Sequence, residues 1–220
     1  MASRILESNL QQREQIRHST ASRVTQNGTV SRARLIAEGG EMSNSEILVL
    51  STSLNKNSRS KLMARVAHGI LSAKQPTDWI DLQEYPLPLC DGGSAYGDPN
   101  VVELGNRIKR AKCILVATPI YNFDVNAALK NLIELTGRAW EEKTVGFLCA
   151  AGGKSSYMSV MATANSLMLD FRTFIIPRFV YADGEGFDGD NLAPSVQTRI
   201  EELCTQTIKL HAALYPTVKV

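Results

Sequence analysis

Three short stretches hold residue types that could do chemistry together. Residues 51–60 read STSLNKNSRS, in which every side chain but Leu54 is polar and two, Lys56 and Arg59, are cationic. Such a run just ahead of a helix offers hydroxyl and amide donors, free backbone N–H groups and the positive end of the helix dipole. Together these suit a phosphate monoester dianion. A plain capping turn would account for Ser58 alone. Residues 118–124 read TPIYNFD. Proline fixes a turn, Tyr121 and Phe123 supply flat apolar faces, and Asn122 offers both a donor and an acceptor. That set fits a planar heteroaromatic ring with polar edges, or a surface turn whose aromatics cap the core. Residues 150–156 read AAGGKSS, where two glycines let backbone N–H groups approach a ligand edge closely, or simply turn a strand into a helix.

Taken together, a phosphate seat, a ring and bare backbone describe a site for flavin mononucleotide (FMN). Commoner nucleotide motifs are missing. No G-x-G-x-x-G follows a strand. Gly153-Lys154-Ser155 looks like the end of a phosphate-binding Walker loop, but Leu148 stands where its earlier glycine belongs, and the triplet follows a late strand. Ser51, Thr52 and Ser53 replace the paired acids that a receiver domain would show after its first strand.

The three stretches act together only if the fold brings them to one edge. Short apolar runs predict strands at 46–51, 78–82, 112–119, 144–151 and 173–182, the last with Pro177 marking an edge or a bulge. Amphipathic patterns predict helices over 58–71, 99–111, 126–139, 156–170 and 194–213, with Asp98 capping the second. Strands alternating with helices imply a parallel sheet covered on both faces. Five strands favour an α/β flavodoxin-like three-layer sandwich with sheet order 2-1-3-4-5 over the six-strand dinucleotide fold. In that order the three stretches follow the first, third and fourth strands, at the carboxyl edge where ligands bind.

The chain has 220 residues, 44% of them hydrophobic, with Lys+Arg 24 against Asp+Glu 22. That near balance excludes a dedicated nucleic-acid binder, and no apolar run reaches the ~20 residues of a membrane span. The net charge of +2 lies wholly in residues 1–44, where six arginines meet four glutamates. Every aromatic residue lies at or after Trp79. Residues 1–44 are therefore expected to be a disordered or poorly ordered extension, and residues 45–220 the folded domain. The extension lacks the apolar stretch of a secretory signal. It reads either as an added segment ahead of a start at Met42 or as an Arg/Ser-rich transit peptide, and a short helix around 3–17 is conceivable. Cys90, Cys113, Cys149 and Cys204 form no C-x-x-C pair, which fits a reducing, cytoplasmic setting without a structural metal.

The stretches PIYNFDVNAALKNLIELTGR (119–138) and CAAGGKSS (149–156), with the loop at 51–60, resemble the NAD(P)H-dependent FMN reductases of flavodoxin-like fold. Pro119, Tyr121, Asn122, Leu129, Lys130, Asn131 and Ile133 match the family pattern, Glu134 fills its acidic place, and YPLP at 85–88 matches the segment after the second strand. The resemblance implies that Ser53, Asn55, Ser58, Arg59 and Ser60 hold the FMN phosphate end, that Pro119, Ile120, Tyr121, Asn122 and Phe123 line the ring, and that Gly152 and Gly153 meet its pyrimidine edge. Lys130 and Asn131 would fix loop geometry. It also implies hydride transfer from NADPH or NADH to FMN, then electron transfer to a flavin, quinone, azo or metal-ion acceptor. The alternative is a flavodoxin-type electron carrier, though the balanced charge of residues 45–220 lacks the acidic docking face of such carriers. A homodimer or homotetramer is implied, with Phe123, Trp140 and Met158 as subunit contacts or core residues. Two departures stand out: Thr52-Ser53-Leu54-Asn55 replaces the frequent G-S-x-R, leaving Lys56 or Arg59 to supply the cation, and Asn126 stands where proline is common.

Overall fold

The computed structural model describes residues 45–216, so the extension expected over 1–44 lies outside the described residues. The chain begins with β1 (Ile47–Ser51), whose five residues are all buried. β1 pairs in parallel with β2 (Thr77–Asp81) on one side and β3 (Cys113–Tyr121) on the other. β3 pairs in turn with β5 (Thr144–Ala150), which carries β6 (Phe174–Ile175) and β7 (Val180–Ala182) on its outer edge. With the two-residue hairpin strand β4 (Asp124–Val125) set aside, the order is the expected 2-1-3-4-5 of a flavodoxin-like sheet.

The fifth predicted strand is in two pieces. Val145 pairs with Ile175 and Leu148 with Val180, so the edge strand advances five residues while β5 advances three. Pro177, which lacks an N–H, sits in that bulge.

Alternation along the strands sorts the core into two layers. Leu48, Leu50, Ile114, Val116, Val145 and Phe147 pack with α2 (Pro99–Arg110), α3 (Ala127–Thr136) and α4 (Met161–Phe171). Ile47, Val49, Cys113, Leu115 and Leu148 face the other way, against α1 (Arg59–Ser72) and α5 (Pro194–Leu214). Gly146 is required by this second layer, because a Cβ there would lie 2.7 Å from Leu115 Cδ2 and 3.1 Å from Leu203 Cδ1.

Helix ends follow local chemistry. Asp98 caps α2 by accepting from the N–H groups of Asn100 and Val101. α3 stops at Thr136 because Gly137 takes a φ of 40°; Ala139, expected inside that helix, follows in a short 3-10 turn. Trp140, in the same turn, is fully buried and donates to Thr136 Oγ1 at 2.8 Å, so it is a core residue and not a subunit contact. Phe123 and Met158 are exposed. Asn131 accepts from Cys90 N and donates to Pro88 O, both at 2.9 Å, tying the segment after β2 to α3. Lys130 pairs with Glu134 one turn on. Among the described residues no helix is long and apolar enough to cross a membrane, and no cluster of acids, Cys and His could hold a metal ion.

All four cysteines are free. Burial pushes the thiols of Cys113, Cys149 and Cys204 up to about 12, so they are neither accessible nor ionised near neutrality. A thiol titration of the native protein at pH 8 should therefore find one fast group, Cys90, with the other three reacting only in denaturant. A second fast thiol would contradict the packing of β3, β5 or α5.

Candidate active site

A cavity of about 570 Å³ opens at the carboxyl edge of the sheet. Ser53, Asn55, Asn57, Ser58, Arg59 and Ser60 line it from the loop after β1, Pro119 to Asn122 from the end of β3, and Ala150, Ala151 and Gly152 from the end of β5. The three stretches singled out in the sequence thus meet around one space. Phe123 and Gly153 directly follow lining residues without themselves lining it. Asn57, Ala150 and Ala151 join the wall; Asn57 lay within the polar run, while the alanines carried no signal of their own.

The loop after β1 is built to leave positive charge unanswered. Ser58 caps α1, its Oγ accepting from Lys61 N at 3.1 Å and lying 3.0 Å from Ser60 Oγ. The first turn of α1 contains Arg59 and Lys61 and no acid, although a helix N-terminus favours negative charge. Lys61 is neutralised by the buried carboxylate of Asp81. Arg59 has no carboxylate partner among the described residues; its guanidinium lies 5.1 Å from the ring centroid of Phe187. From behind, Gln83 clamps the loop, its Nε2 donating to Asn55 O at 2.7 Å and Ser53 O at 3.2 Å. Nothing near the loop in sequence announces Gln83, which arrives after β2.

Above this loop, β3 turns into β4 through Asn122 and Phe123 at φ 51° and 63°, bracketed by the Tyr121–Asp124 pair. Two successive positive φ values are those of a type I′ turn, whose second central residue is usually glycine. Phe123 takes that place with its side chain 66% exposed, so burial does not offset the strained backbone. Phe123→Gly should raise stability by about 0.5–1 kcal/mol, or roughly 1–4 °C in Tm. An unchanged or lower Tm in calorimetry would show that the ring packs on something in solution.

Asn126 joins the two loops from within. It is 5% exposed and caps α3. Its Oδ1 lies 2.9 Å from Thr52 Oγ1 and 3.1 Å from Thr118 Oγ1, and its Nδ2 donates to Thr52 O at 2.7 Å. Its φ of −67° is the angle a proline ring imposes. The departure from the family's common proline therefore keeps the backbone and adds a buried bridge between the ends of β1 and β3.

The third loop is fixed by Tyr181. Its hydroxyl donates to Gly153 O and lies 2.8 Å from Ser156 Oγ. A Cβ at Gly152 would meet no protein atom within 4 Å, so the absence of a side chain there serves the cavity wall and not the packing. These bonds hold 152–160 in turns, and α4 starts at Met161 instead of the expected Ser156. Lys154 leaves the cavity altogether and pairs with Glu185 at 2.7 Å, whose hydrogen bond and charge raise its pKa.

A doubly covered parallel sheet with a cleft at its switch point, an unanswered cation at one end and an aromatic rim at the other, defines a flavodoxin-like nucleotide-binding protein. More specifically, the chain belongs to the NADPH-dependent FMN reductase family, whose sequence profile matches residues 45–188. It is an oxidoreductase with FMN as cofactor and NAD(P)H as reductant. The NAD(P)H-dependent FAD/FMN reductase of Geobacillus thermodenitrificans is 30% identical over 142 residues, covering 61% of this chain and 75% of that one. The NADPH azoreductase of Bacillus sp. strain OY1-2 is 24% identical over 180 residues, covering 79% and 96%. Among solved structures, the apo form of an NADH:FMN oxidoreductase superposes with a TM-score of 0.63 at 16% identity, covering 73% of this chain and 87% of the other.

Proposed function

We propose that the cavity holds FMN and that the protein passes electrons from NADPH or NADH to a small-molecule acceptor of the quinone, azo, flavin or metal-ion class. The observation that carries this reading is the first turn of α1, where Arg59 stands beside a helix N-terminus with no acid to answer it. Ser53, Asn55, Ser58, Arg59 and Ser60 would hold the phosphate end, Pro119 to Phe123 the ring, and the N–H groups of Gly152 and Gly153 its pyrimidine edge. When bound, FMN supplies hydride acceptance from NAD(P)H and electron delivery to the acceptor. The protein's part is to seat the phosphate, orient the ring and set donors where negative charge gathers on it. Among the described residues that line the cavity, only Arg59 and Tyr121 carry a titratable side chain. A wall without an acid–base pair suits chemistry carried by a cofactor. The azo and FAD/FMN activities in the relatives' names support the acceptor class.

We take residues 45–220 as the FMN-binding domain and expect a homodimer or homotetramer, with Phe123 and Met158 as candidate contacts; sedimentation equilibrium decides the state. The function is tested by the visible spectrum of the purified protein and anaerobic stopped-flow mixing with NADPH or NADH. Rapid bleaching of the flavin band, and its return with a quinone or azo compound, is expected. A yellow protein that neither nucleotide bleaches would instead be an electron carrier, and a colourless one that takes up no FMN would overturn both readings.

A further inference from the structure

We propose that Phe187 is a positioning residue for the FMN phosphate: its ring anchors Arg59 while leaving the guanidinium's charge and N–H donors free for the anion. The inference rests on the reading of the cavity as an FMN site. Arg59 opens α1 immediately after the capping Ser58, and its side chain lines the cavity. A free arginine side chain is rich in rotamer entropy, which an anion would have to overcome in fixing it. The usual anchor for a guanidinium is a carboxylate, and Asp183, Glu185, Asp188 and Asp190 crowd the segment around Phe187 in sequence. Among the described residues none of them lies within ion-pair distance of Arg59. Glu185 is taken by Lys154, and Asp183 Oδ1 accepts from Glu185 N.

The partner is instead an aromatic face, 5.1 Å from the guanidinium carbon to the ring centroid. The two anchors differ in what they leave behind. A carboxylate would cancel the charge and occupy two donors. A ring attracts the cation through its quadrupole and occupies none of the in-plane N–H groups. Phe187 is itself held: it pairs with Leu192 across the hairpin of β8 (Phe187–Asp188) and β9 (Asn191–Leu192), and it packs against the core layer that includes α5. The backbone of Gly184 lies beside the same guanidinium, since a Cβ there would be 3.9 Å from Arg59 Nη1. The hairpin thus gives an arginine on α1 a neutral rest at the edge of the cavity, in a chain whose phosphate loop lacks the arginine frequent in its family.

Affinities for FMN and for riboflavin, which lacks the phosphate, separate the alternatives. Phe187→Leu should weaken FMN binding about five- to tenfold and leave riboflavin within twofold, while Phe187→Tyr keeps both. In an Arg59→Met background, Phe187→Leu should change FMN affinity no further. Should leucine disturb the hairpin, seen as a lowered Tm, Phe187→Met provides the same comparison. Equal losses for FMN and riboflavin, unchanged FMN affinity in Phe187→Leu, or effects of the two substitutions that multiply would each overturn the role of Phe187. A wild-type protein that binds FMN no tighter than riboflavin would instead overturn the phosphate seat itself, and this inference with it.

Discussion

Replacing Ser58 with aspartate should lower FMN affinity about a hundredfold and leave the fold as stable as before. The two halves of that result have separate causes. Aspartate caps a helix as well as serine does and can accept from Lys61 N in the same way. Its charge is also welcome at the N-terminus of α1, where Arg59 and Lys61 stand without an acid in the turn. The phosphate would meet that charge at close range. At ~5 Å and an effective dielectric near 20, one pair of like charges costs about 3 kcal/mol, which is roughly a factor of a hundred in affinity. Riboflavin should bind Ser58→Asp unchanged, and Ser58→Asn, a neutral cap, should keep FMN affinity near wild type. Calorimetric titration with both flavins checks this. Tight FMN binding by the aspartate variant would remove the phosphate from α1.

Asn126→Ala should destabilise the fold by about 3 kcal/mol, or roughly 6–12 °C in Tm for a domain of this size. The loss is not one hydrogen bond. Alanine leaves the Thr52 carbonyl without its side-chain donor and removes the side-chain cap from α3, while the hydroxyls of Thr52 and Thr118 lose their shared acceptor and keep only the carbonyls of Ala117 and Pro119. Those groups are buried, so water does not replace what is lost. FMN affinity should fall as well, because the bridge joins the loop after β1 to the end of β3. Asn126→Pro separates backbone from side chain. Its ring suits the φ of −67° but supplies no donor or acceptor. Stability restored by proline to the wild-type value would show that the buried bridge contributes nothing.

Strand order and the three loops were legible because their causes are local. Apolar runs such as ILVLS and CILVATP must be covered on both faces, and clusters of Ser, Asn, Pro and Gly mark where such runs end. What was hidden depends on partners distant in the chain. Gln83 and Tyr181 support the cavity from segments with no chemical signal, and each acts on a loop it does not adjoin in sequence. Trp140 and Phe123 are both large aromatics near helix ends, yet one is fully buried and the other mostly exposed; only the packing of α3 on the sheet distinguishes them. The two-residue strands of the β8–β9 hairpin are too short to show a period, and so nothing in the sequence marks the residue that rests against Arg59. α4 begins later than its pattern suggests because the bonds of Tyr181 to Gly153 and Ser156 outweigh helix propensity there.

The unequal lengths of the central strands act as a ruler. β1 ends at Ser51, opposite Ala117, while β3 runs on to Tyr121. That overhang of Thr118 to Tyr121 is about 13 Å at ~3.3 Å per residue. It is supported first by β5, through Pro119 and Ala150, and then by β4. The separation between the phosphate end of the cavity and its aromatic rim is therefore counted in strand residues. Shortening β3 by two would bring the rim roughly 6–7 Å closer with the same side chains facing inward, whereas shortening it by one would also turn Tyr121 to the opposite face. Ligand length is thus selected in steps of two residues.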